Sequence, residues 1–272
     1  MDIYGDWINR ELKVESYPFK HIIIDNFLND KYYKNIINVL PEKVDNTFWK
    51  YCNPIEVKYV LDDKNIIHNN ITNLIQQLSS EFFISKLKKL FDINDIEADE
   101  TLHGSGLHYH PHMGRLNMHL DYEKHPIKKN RQRRLNIIFY LNEIWDESWE
   151  GATELWDAKM TKCVKKSFPN RNRALIFETS ELSWHGVPEK ILCPENVFRR
   201  SLALYYLSPL KSKPDGSKLG ADIDGYRKKA VFVKRPQDKY DERMEKLYKI
   251  RPIRRINDQD MSEIWPYWDI NT

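Results

Sequence analysis

Hydrophobic residues recur mainly at helical spacing in the first third of the chain and mainly in short, strand-like runs after it. Residues 19–24 form a short apolar run typical of a buried strand. Over 30–40 the apolar side chains recur at helical spacing and Pro41 follows, so we expect a helix that ends there. A polar segment without clear periodicity continues to about residue 62, and we expect it to be irregular.

The next apolar positions, over 66–90, predict one or two amphipathic helices because they repeat every three or four residues. Ser79 and Ser80 lie in the middle of this stretch, where serine favours a break or a new helix cap. Such helices have one apolar face, so we expect them to pack on a sheet.

After Ile96 the pattern changes to short runs rich in Thr, Tyr, Ile, Leu and Phe, which alternate with loops. We expect strands near residues 98–109, 116–122, 134–141, 153–157, 172–178, 183–187 and 199–207. This number and spacing of strands predict a mainly β fold with flanking helices, built on a double-stranded β-helix, or jelly roll.

The chain changes again beyond Pro209, where Lys, Pro, Asp and Gly predict a loop over 211–216 that leaves the sheet. Apolar residues at helical spacing predict a helix over 240–250. Residues 262–268 predict a last helical turn, and we expect its two tryptophans to dock on the core.

These patterns predict three consecutive parts that pack as one structural unit. Residues 1–95 would form an N-terminal support of helices and strand, residues 96–209 the jelly-roll core, and residues 210–272 a C-terminal helical extension.

Composition indicates an ordinary globular protein. Of the 272 residues, 41% are hydrophobic and 12% aromatic, and the net charge of +3 is too balanced to indicate a nucleic-acid binder. Cys52, Cys163 and Cys193 are odd in number and widely spaced, which favours a reducing compartment. No window has the roughly 20 apolar residues of a membrane span, and no signal peptide is evident. We therefore expect a soluble, cytoplasmic protein; the sequence specifies no oligomeric state.

The candidate chemistry lies in the predicted strand that contains His119 and Asp121. Side chains two apart on a strand point to the same side of the sheet, so these two can hold a metal ion together. His185 is the best candidate for a third ligand. Two imidazoles and one carboxylate form the facial triad that suits ferrous iron. Taken alone, His119 and Asp121 are more simply explained as polar residues on a water-facing strand.

A second pair of residues favours the metal site over a water-facing strand. Arg199, Ser201 and Ala203 share one face of the last predicted strand. A guanidinium and a hydroxyl two residues apart form a socket for a carboxylate. The adjacent Arg200 competes for this role, and strand parity favours Arg199.

With these motifs the chain resembles the iron(II)- and 2-oxoglutarate-dependent dioxygenases, and within them the prolyl 4-hydroxylase-like branch. The resemblance covers about residues 100–208. It is carried by His119-x-Asp121, Phe139-Tyr140-Leu141-Asn142, Glu150-Gly151-Ala152-Thr153, Trp184-His185-Gly186-Val187 and Arg199-x-Ser201. Glu150 stands where the family often has the first glycine of a Gly-Gly pair.

The resemblance implies roles for eight residues. His119, Asp121 and His185 would be the catalytic residues that ligate Fe(II), Arg199 and Ser201 would bind the distal carboxylate of 2-oxoglutarate, and Tyr140, Thr153 and Tyr109 would line its pocket. It further implies O2 as a cosubstrate and allows for ascorbate as a supporting reductant. The implied reaction hydroxylates an unactivated carbon and yields succinate and CO2.

Two polar segments remain. A zinc site is conceivable from His108, His110 and His112, but Pro111 interrupts them, so we expect the segment from His103 to His112 to be a loop at the mouth of the site. The basic run 128–134 is more simply a solvated loop. If this run instead contacts a substrate, its charge would favour an acidic partner, such as an acidic peptide, a sugar nucleotide or a nucleic-acid backbone.

Three functions therefore follow from the sequence. The leading one is hydroxylation of a protein side chain, most plausibly a peptidyl proline. The first alternative is the same chemistry on a free small molecule, such as an amino acid or a sugar-linked metabolite. The second is a metal-binding jelly-roll module without catalytic activity.

Overall fold

The computed structural model describes residues 3–210, 219–222 and 224–271. The helices in this part of the chain are α1 (Asp30–Ile37), α2 (Asn69–Leu78), α3 (Glu81–Phe91), α4 (Glu242–Ile250) and α5 (Asp258–Ile264), with short 3-10 helices at Asp6–Asn9 and Glu147–Trp149. The strands are β1 (His21–Ile24), β2 (Trp49–Asn53), β3 (Glu56–Leu61), β4 (Glu97–Ala98), β5 (Gly106–His110), β6 (Arg115–Leu120), β7 (Arg131–Tyr140), β8 (Thr153–Trp156), β9 (Cys163–Ser167), β10 (Ala174–Glu178), β11 (His185–Val187), β12 (Arg199–Pro209) and β13 (Val231–Phe232).

The strands pair antiparallel in one sheet that curls into a nearly closed barrel. Its order is β1-β10-β7-β12-β5-β3-β6-β11-β8-β9, with β4 on β12, β2 on β3 and β13 on β6. Non-consecutive strands are neighbours along most of this path, as expected of a jelly roll. The predicted mainly β fold is therefore confirmed.

The N-terminal helices cover one face of this sheet. Asn29 caps α1 by accepting a hydrogen bond from the Tyr32 amide at 2.8 Å, and Ser80 caps α3 as the predicted break between α2 and α3 requires. Their apolar faces are buried in one core cluster with residues of β7, β10 and β12. The predicted helices are confirmed, although α1 ends at Ile37, before the expected position.

The prediction of an irregular segment up to residue 62 is wrong, because β2 and β3 form a hairpin there. β3 also bridges the barrel, pairing with β6 through Glu56 and Val57 and with β5 from Tyr59 onward. Its hydrophobic pattern is hidden because Glu56 and Lys58 are charged residues that line a cavity inside the fold. The charged residues alternate with Val57 and Tyr59, but they face inward, so the segment lacks the continuous apolar run of a strand buried on both faces.

Other elements differ from expectation in detail. The single strand expected at 98–109 is two short strands, β4 and β5, separated by a loop, and the polar edge strand β9 was not predicted. The basic run 128–134 is only in part a loop. Its last four residues begin β7, where Gln132 and Arg133 are buried.

The C-terminal extension adds both helix and strand to the barrel. β13 pairs with β6, with Phe232 opposite His119, and the predicted helix is α4, whose Leu247 is fully buried. The two tryptophans are half-buried beside arginine side chains rather than in the core: Trp265 lies under Arg243 and Trp268 near Arg115.

Four further matters concern the loop beyond Pro209, the division into parts, membrane-spanning helices and the cysteines. The loop predicted at 211–216 lies outside the described residues, and the division at residues 95 and 209 stays a prediction. In the part of the chain that the structure describes, no helix is both long and apolar enough to cross a membrane, and the three cysteines are free thiols.

A buried ion pair ties the C-terminal extension to β3. Arg251, directly after α4, donates from Nε to the Glu56 carboxylate at 2.7 Å, and Glu56 is 1% exposed. Removing one partner of a buried pair leaves the other charge without compensation, whereas removing both charges leaves a site that can repack.

We expect Arg251→Met to lower the free energy of unfolding by about 3 kcal/mol, because Glu56 is then buried without a cation. Denaturant unfolding measures the loss. The double variant Glu56→Gln/Arg251→Met should recover part of it. A loss below about 1 kcal/mol, the value of an exposed pair, would contradict a structural role for this contact.

Candidate metal and cosubstrate site

The His-Asp-His set predicted from the sequence lies together in the barrel. His119 near the end of β6 is directly opposite His185 at the start of β11, and Asp121 follows β6. One possible ligand atom from each of the three side chains lies within 4.8 Å of the others. Both histidines are buried and Asp121 is half-buried. Antiparallel pairing thus creates the cluster that sequence spacing only suggested.

Hydrogen bonds fix both histidines in the form that binds metal. His119 Nδ1 lies 2.9 Å from the Asn117 carbonyl oxygen, and His185 Nδ1 lies 2.8 Å from that of Ser183. A carbonyl oxygen only accepts, so each Nδ1 carries the proton and each Nε2 keeps its lone pair. The Nε2 atoms lie 3.8 and 3.5 Å from Asp121 carboxylate oxygens. Burial lowers the pKa of His119 to about 3 and lowers that of His185, which keeps both rings neutral.

The third ligand, Asp121, is held ionised by its neighbours. Arg133 Nη1 lies 2.7 Å from one carboxylate oxygen, and Asn136 donates to the other at 2.7 Å. Burial by itself would raise the pKa of Asp121, but the charge and the hydrogen bond of Arg133 lower it well below its ordinary value. Arg133 is in turn held between the rings of Tyr122 and Tyr205, at 3.9 and 3.4 Å from their centroids.

Arg199 and Ser201 line the same cavity as the three candidate ligands, a narrow space of about 80 Å³. Arg199 is 2% exposed. It donates to the Gly151 carbonyl at 2.6 Å and to the Thr153 hydroxyl at 2.9 Å. Over residues 3–210, 219–222 and 224–271, no carboxylate forms an ion pair with this guanidinium. A buried charge without a counter-ion is costly, so the socket fits an anionic ligand.

The competing arginine points elsewhere. Arg200 lies over the ring of Tyr109, at 5.3 Å from its centroid, on the opposite face of β12. Ser201 faces the cavity with Arg199, as strand parity predicted. The Tyr140 hydroxyl lies 2.9 Å from Thr153 Oγ1, so it supports Arg199 through that hydroxyl.

Tyr109 corrects one of the predictions. Its ring is fully buried against Phe48 and Phe198, and its hydroxyl donates to the Pro41 carbonyl at 3.0 Å, away from the cavity. Successive residues of a strand point to opposite faces, so its neighbours His108 and His110 face inward instead. The prediction that Tyr109 lines the cosubstrate pocket is therefore wrong.

His108 and His110 also change the interpretation of the histidine-rich segment. They pair with Ser201 and Arg199 across the β5–β12 ladder and line the cavity. Burial lowers the pKa of His108 to about 3. His103 lies at the mouth as expected, whereas His112 Nδ1 contacts the Cys193 carbonyl at 2.6 Å. The segment is thus a loop only in part, and these histidines form no zinc cluster among the described residues.

Sequence reasoning missed three further residues of the site. Lys58 lies in the segment expected to be irregular, and Phe232, stacked 5.1 Å from the His119 ring, lies in the extension expected to be helical. Arg133 was assigned to a solvated loop. The register between β12 and β7 shifts at Arg134, which places Arg133 on the inner face with Asn136. A bulge of this kind leaves no hydrophobic signature in the sequence.

Comparison with known proteins agrees with the geometry. Residues 104–207 match the family model of the 2OG-Fe(II) oxygenase superfamily. A curated relative, prolyl 3-hydroxylase OGFOD1 of Mus musculus, is 26% identical over 202 residues, which cover 72% of this chain and 34% of that protein. The chain thus spans about a third of the length of this relative.

Solved structures with a similar fold include two prolyl hydroxylases. A Pseudomonas putida prolyl-4-hydroxylase has a TM-score of 0.50 and 14% identity, over 68% of this chain and 91% of that one. A Trichoplax adhaerens prolyl hydroxylase, solved with a peptide fragment of the hypoxia inducible factor oxygen degradation domain, has a TM-score of 0.48 and 17% identity, over 69% and 83%. The likeness to the Pseudomonas enzyme confirms the predicted jelly-roll fold.

The turn beside Arg199 contains a strained residue. Glu150, where the resemblance expects glycine, has φ 57° and ψ −145°, close to a region essentially restricted to glycine. Gly151 follows with φ +81°, and a Cβ there would lie 3.0 Å from the Trp145 ring and 3.3 Å from Arg199 Cδ. The turn that carries the Gly151 carbonyl thus favours glycine at both positions.

We expect Glu150→Gly to stabilise the protein by about 1 kcal/mol. The relieved strain, about 1–3 kcal/mol, exceeds the entropy cost of an added glycine, about 0.4–1 kcal/mol. Thermal unfolding measures the change. Gly151→Ala is the matched comparison and should lower stability; equal effects of the two substitutions would contradict this account.

Proposed function

We propose that the chain is an Fe(II)- and 2-oxoglutarate-dependent hydroxylase of protein side chains, a proposal that the match of residues 104–207 to the 2OG-Fe(II) oxygenase superfamily supports. The observation that carries the proposal is the buried Arg199, which lies in the cavity of the His119, Asp121 and His185 cluster and has no carboxylate partner in the part of the chain that the structure describes. A metal module without catalytic activity would have no use for such a cation.

In this proposal the three ligands hold Fe(II) through the two Nε2 atoms and a carboxylate oxygen. Such a donor set suits ferrous iron. Bound iron would supply oxygen activation coupled to decarboxylation of 2-oxoglutarate, with succinate and CO2 as coproducts. The hydrogen bonds from the two Nδ1 atoms orient the rings.

The socket would hold the distal carboxylate of 2-oxoglutarate. Arg199 supplies the charge and a planar pair of donors, and Ser201 supplies a hydroxyl that makes no hydrogen bond to any residue within 3–210, 219–222 and 224–271. His110, opposite Arg199 on β5, has both ring nitrogens buried without partners among these residues, so it offers a further polar contact in the same cavity.

Peptidyl proline is the substrate that the comparisons favour, because the curated relative is named a prolyl 3-hydroxylase. One observation favours the second candidate, a free small molecule. The mouth of the cavity is narrow, about 120 Å³, and is bordered by His103 and by Ala230, Phe232 and Arg255 of the C-terminal extension. A substrate must therefore reach the metal ligands between these two segments.

We expect purified protein with Fe(II), ascorbate and 2-oxoglutarate to form succinate. Arg199→Met should weaken 2-oxoglutarate binding by about hundredfold, since it removes a charged donor pair from a buried site. Calorimetry with Mn(II) in place of iron measures that affinity.

Arg200→Met is the matched control, because it removes the same group one residue away on the opposite face, and it should bind 2-oxoglutarate like the wild type. Absence of both succinate formation and 2-oxoglutarate binding in the wild type would refute the proposed function. Equal losses in the two variants would refute the role of Arg199.

A further inference from the structure

The mouth above the metal ligands is rich in positive charge. Its cationic lining residues are Lys58, Arg133, Lys228, Lys229, Arg251 and Arg255. The lining contains two carboxylates, Glu56 and Asp121, together with the rings of Tyr51 and Tyr122. The whole chain, with 43 basic and 40 acidic residues, shows no such excess. The excess of positive charge at this mouth therefore comes from how the fold places these residues and not from the overall composition.

Three of the six cations are neutralised within the protein. Arg133 pairs with Asp121 at 2.7 Å and Arg251 with Glu56 at 2.7 Å. Lys228 lies 2.8 Å from Asp222 and also pairs with Asp224. Both carboxylates of the mouth are thus already engaged.

The other three cations, Lys58, Lys229 and Arg255, form no ion pair with any carboxylate that the structure describes. Burial, and then the nearby charge of Arg255, lower the pKa of Lys229. Arg255 lies 5.1 Å from the centroid of the Tyr51 ring, and the Lys58 amine lies 5.2 Å from the same centroid. Two of the three uncompensated charges therefore lie beside the same aromatic side chain.

Lys58 has the most informative position of the three. It lies on β3, between Val57, which pairs with β6, and Tyr59, which pairs with β5. Its side chain lines both the mouth and the inner cavity that holds His119 and Asp121. Burial lowers its pKa, so the fold places this amine at a cost that an anionic ligand would offset.

Building on the proposed hydroxylase function, we propose that the mouth is a carboxylate subsite and that the substrate peptide carries Asp or Glu next to the oxidised residue. The acidic side chain binds the Lys58 amine, and Lys229 and Arg255 attract further acidic groups along the peptide. Because Lys58 reaches both cavities, the acidic residue lies beside the oxidised one rather than at a distance.

The layout favours a peptide over a nucleic acid. A nucleic-acid strand carries one phosphate per nucleotide and needs a track of cations along its length. Here the three cations without an ion pair among the described residues line one mouth, two of them beside Tyr51, and Glu56 and Asp121 lie in the same mouth. Such a group suits one or two carboxylates.

The test uses the whole chain loaded with Mn(II) and 2-oxoglutarate and three labelled peptides. Each has a central proline, flanked by glutamate, by glutamine or by lysine. Fluorescence anisotropy should show the glutamate peptide binding about tenfold more tightly than the glutamine peptide, and the lysine peptide binding most weakly. High salt should reduce the preference.

Lys58→Met should abolish most of the preference for glutamate over glutamine, and Lys58→Arg should keep it. Lys50→Met, an exposed lysine on β2 in the same hairpin, is the matched control and should behave like the wild type. Retained far-ultraviolet circular dichroism and thermal midpoint show that each variant is folded.

Several outcomes would overturn the proposal: equal binding of the three peptides, an unchanged preference in Lys58→Met, or tighter binding of a single-stranded oligonucleotide than of the glutamate peptide. Failure of the proposed function is distinguishable, because 2-oxoglutarate binding is measured by calorimetry in the same samples. A protein that prefers the glutamate peptide without binding 2-oxoglutarate would retain the subsite and lose the hydroxylase assignment.

Discussion

The ion pair between Asp121 and Arg133 is the interaction on which the site depends. A carboxylate in the barrel interior is stable in its ionised form only with a close cation, and Arg133 supplies one at 2.7 Å. The bulge at Arg134 turns Arg133 inward, and the rings of Tyr122 and Tyr205 hold it there. Because Asn136 occupies the second carboxylate oxygen, Asp121 has a single orientation toward the two histidines.

Around this pair, some charged residues of the barrel interior have an ion-pair partner and others have none among the described residues. Asp121 is compensated by the protein itself, whereas Arg199 and Lys58 line the same cavity without a carboxylate partner among the described residues. The histidines of this cavity are neutral and leave that positive charge unchanged. An interior with excess positive charge is costly for a folded protein and suits acidic ligands: a dicarboxylate cosubstrate at Arg199 and, in our proposal, a substrate carboxylate at Lys58.

The C-terminal extension contributes side chains to the site and to its charge distribution. It contributes Phe232 against the His119 ring through the pairing of β13 with β6. It also contributes Arg251, which neutralises Glu56 and so leaves Lys58 as the free charge on the inward face of β3. Residues far apart in the chain thus determine together which charges remain available to a substrate.

The sequence by itself determined the parts of the protein that depend on local spacing. Periodicity placed the helices and most barrel strands, and parity on two strands selected His119 with Asp121 and Arg199 with Ser201. These inferences succeed because side-chain direction repeats with a fixed period along a regular element. The resemblance of the motifs to a known family then supported His185 as the third ligand and implied roles for the remaining residues.

Features that depend on which strands become neighbours became apparent only in the folded chain. Folding placed Tyr109 in the core and His108 and His110 in the cavity, since a shift of one residue along a strand reverses the face. It turned Arg133 inward at a bulge and Lys58 inward on a strand whose charges conceal its pattern. Whether a charge is compensated depends on side chains brought close by folding, and sequence spacing contains no measure of that distance.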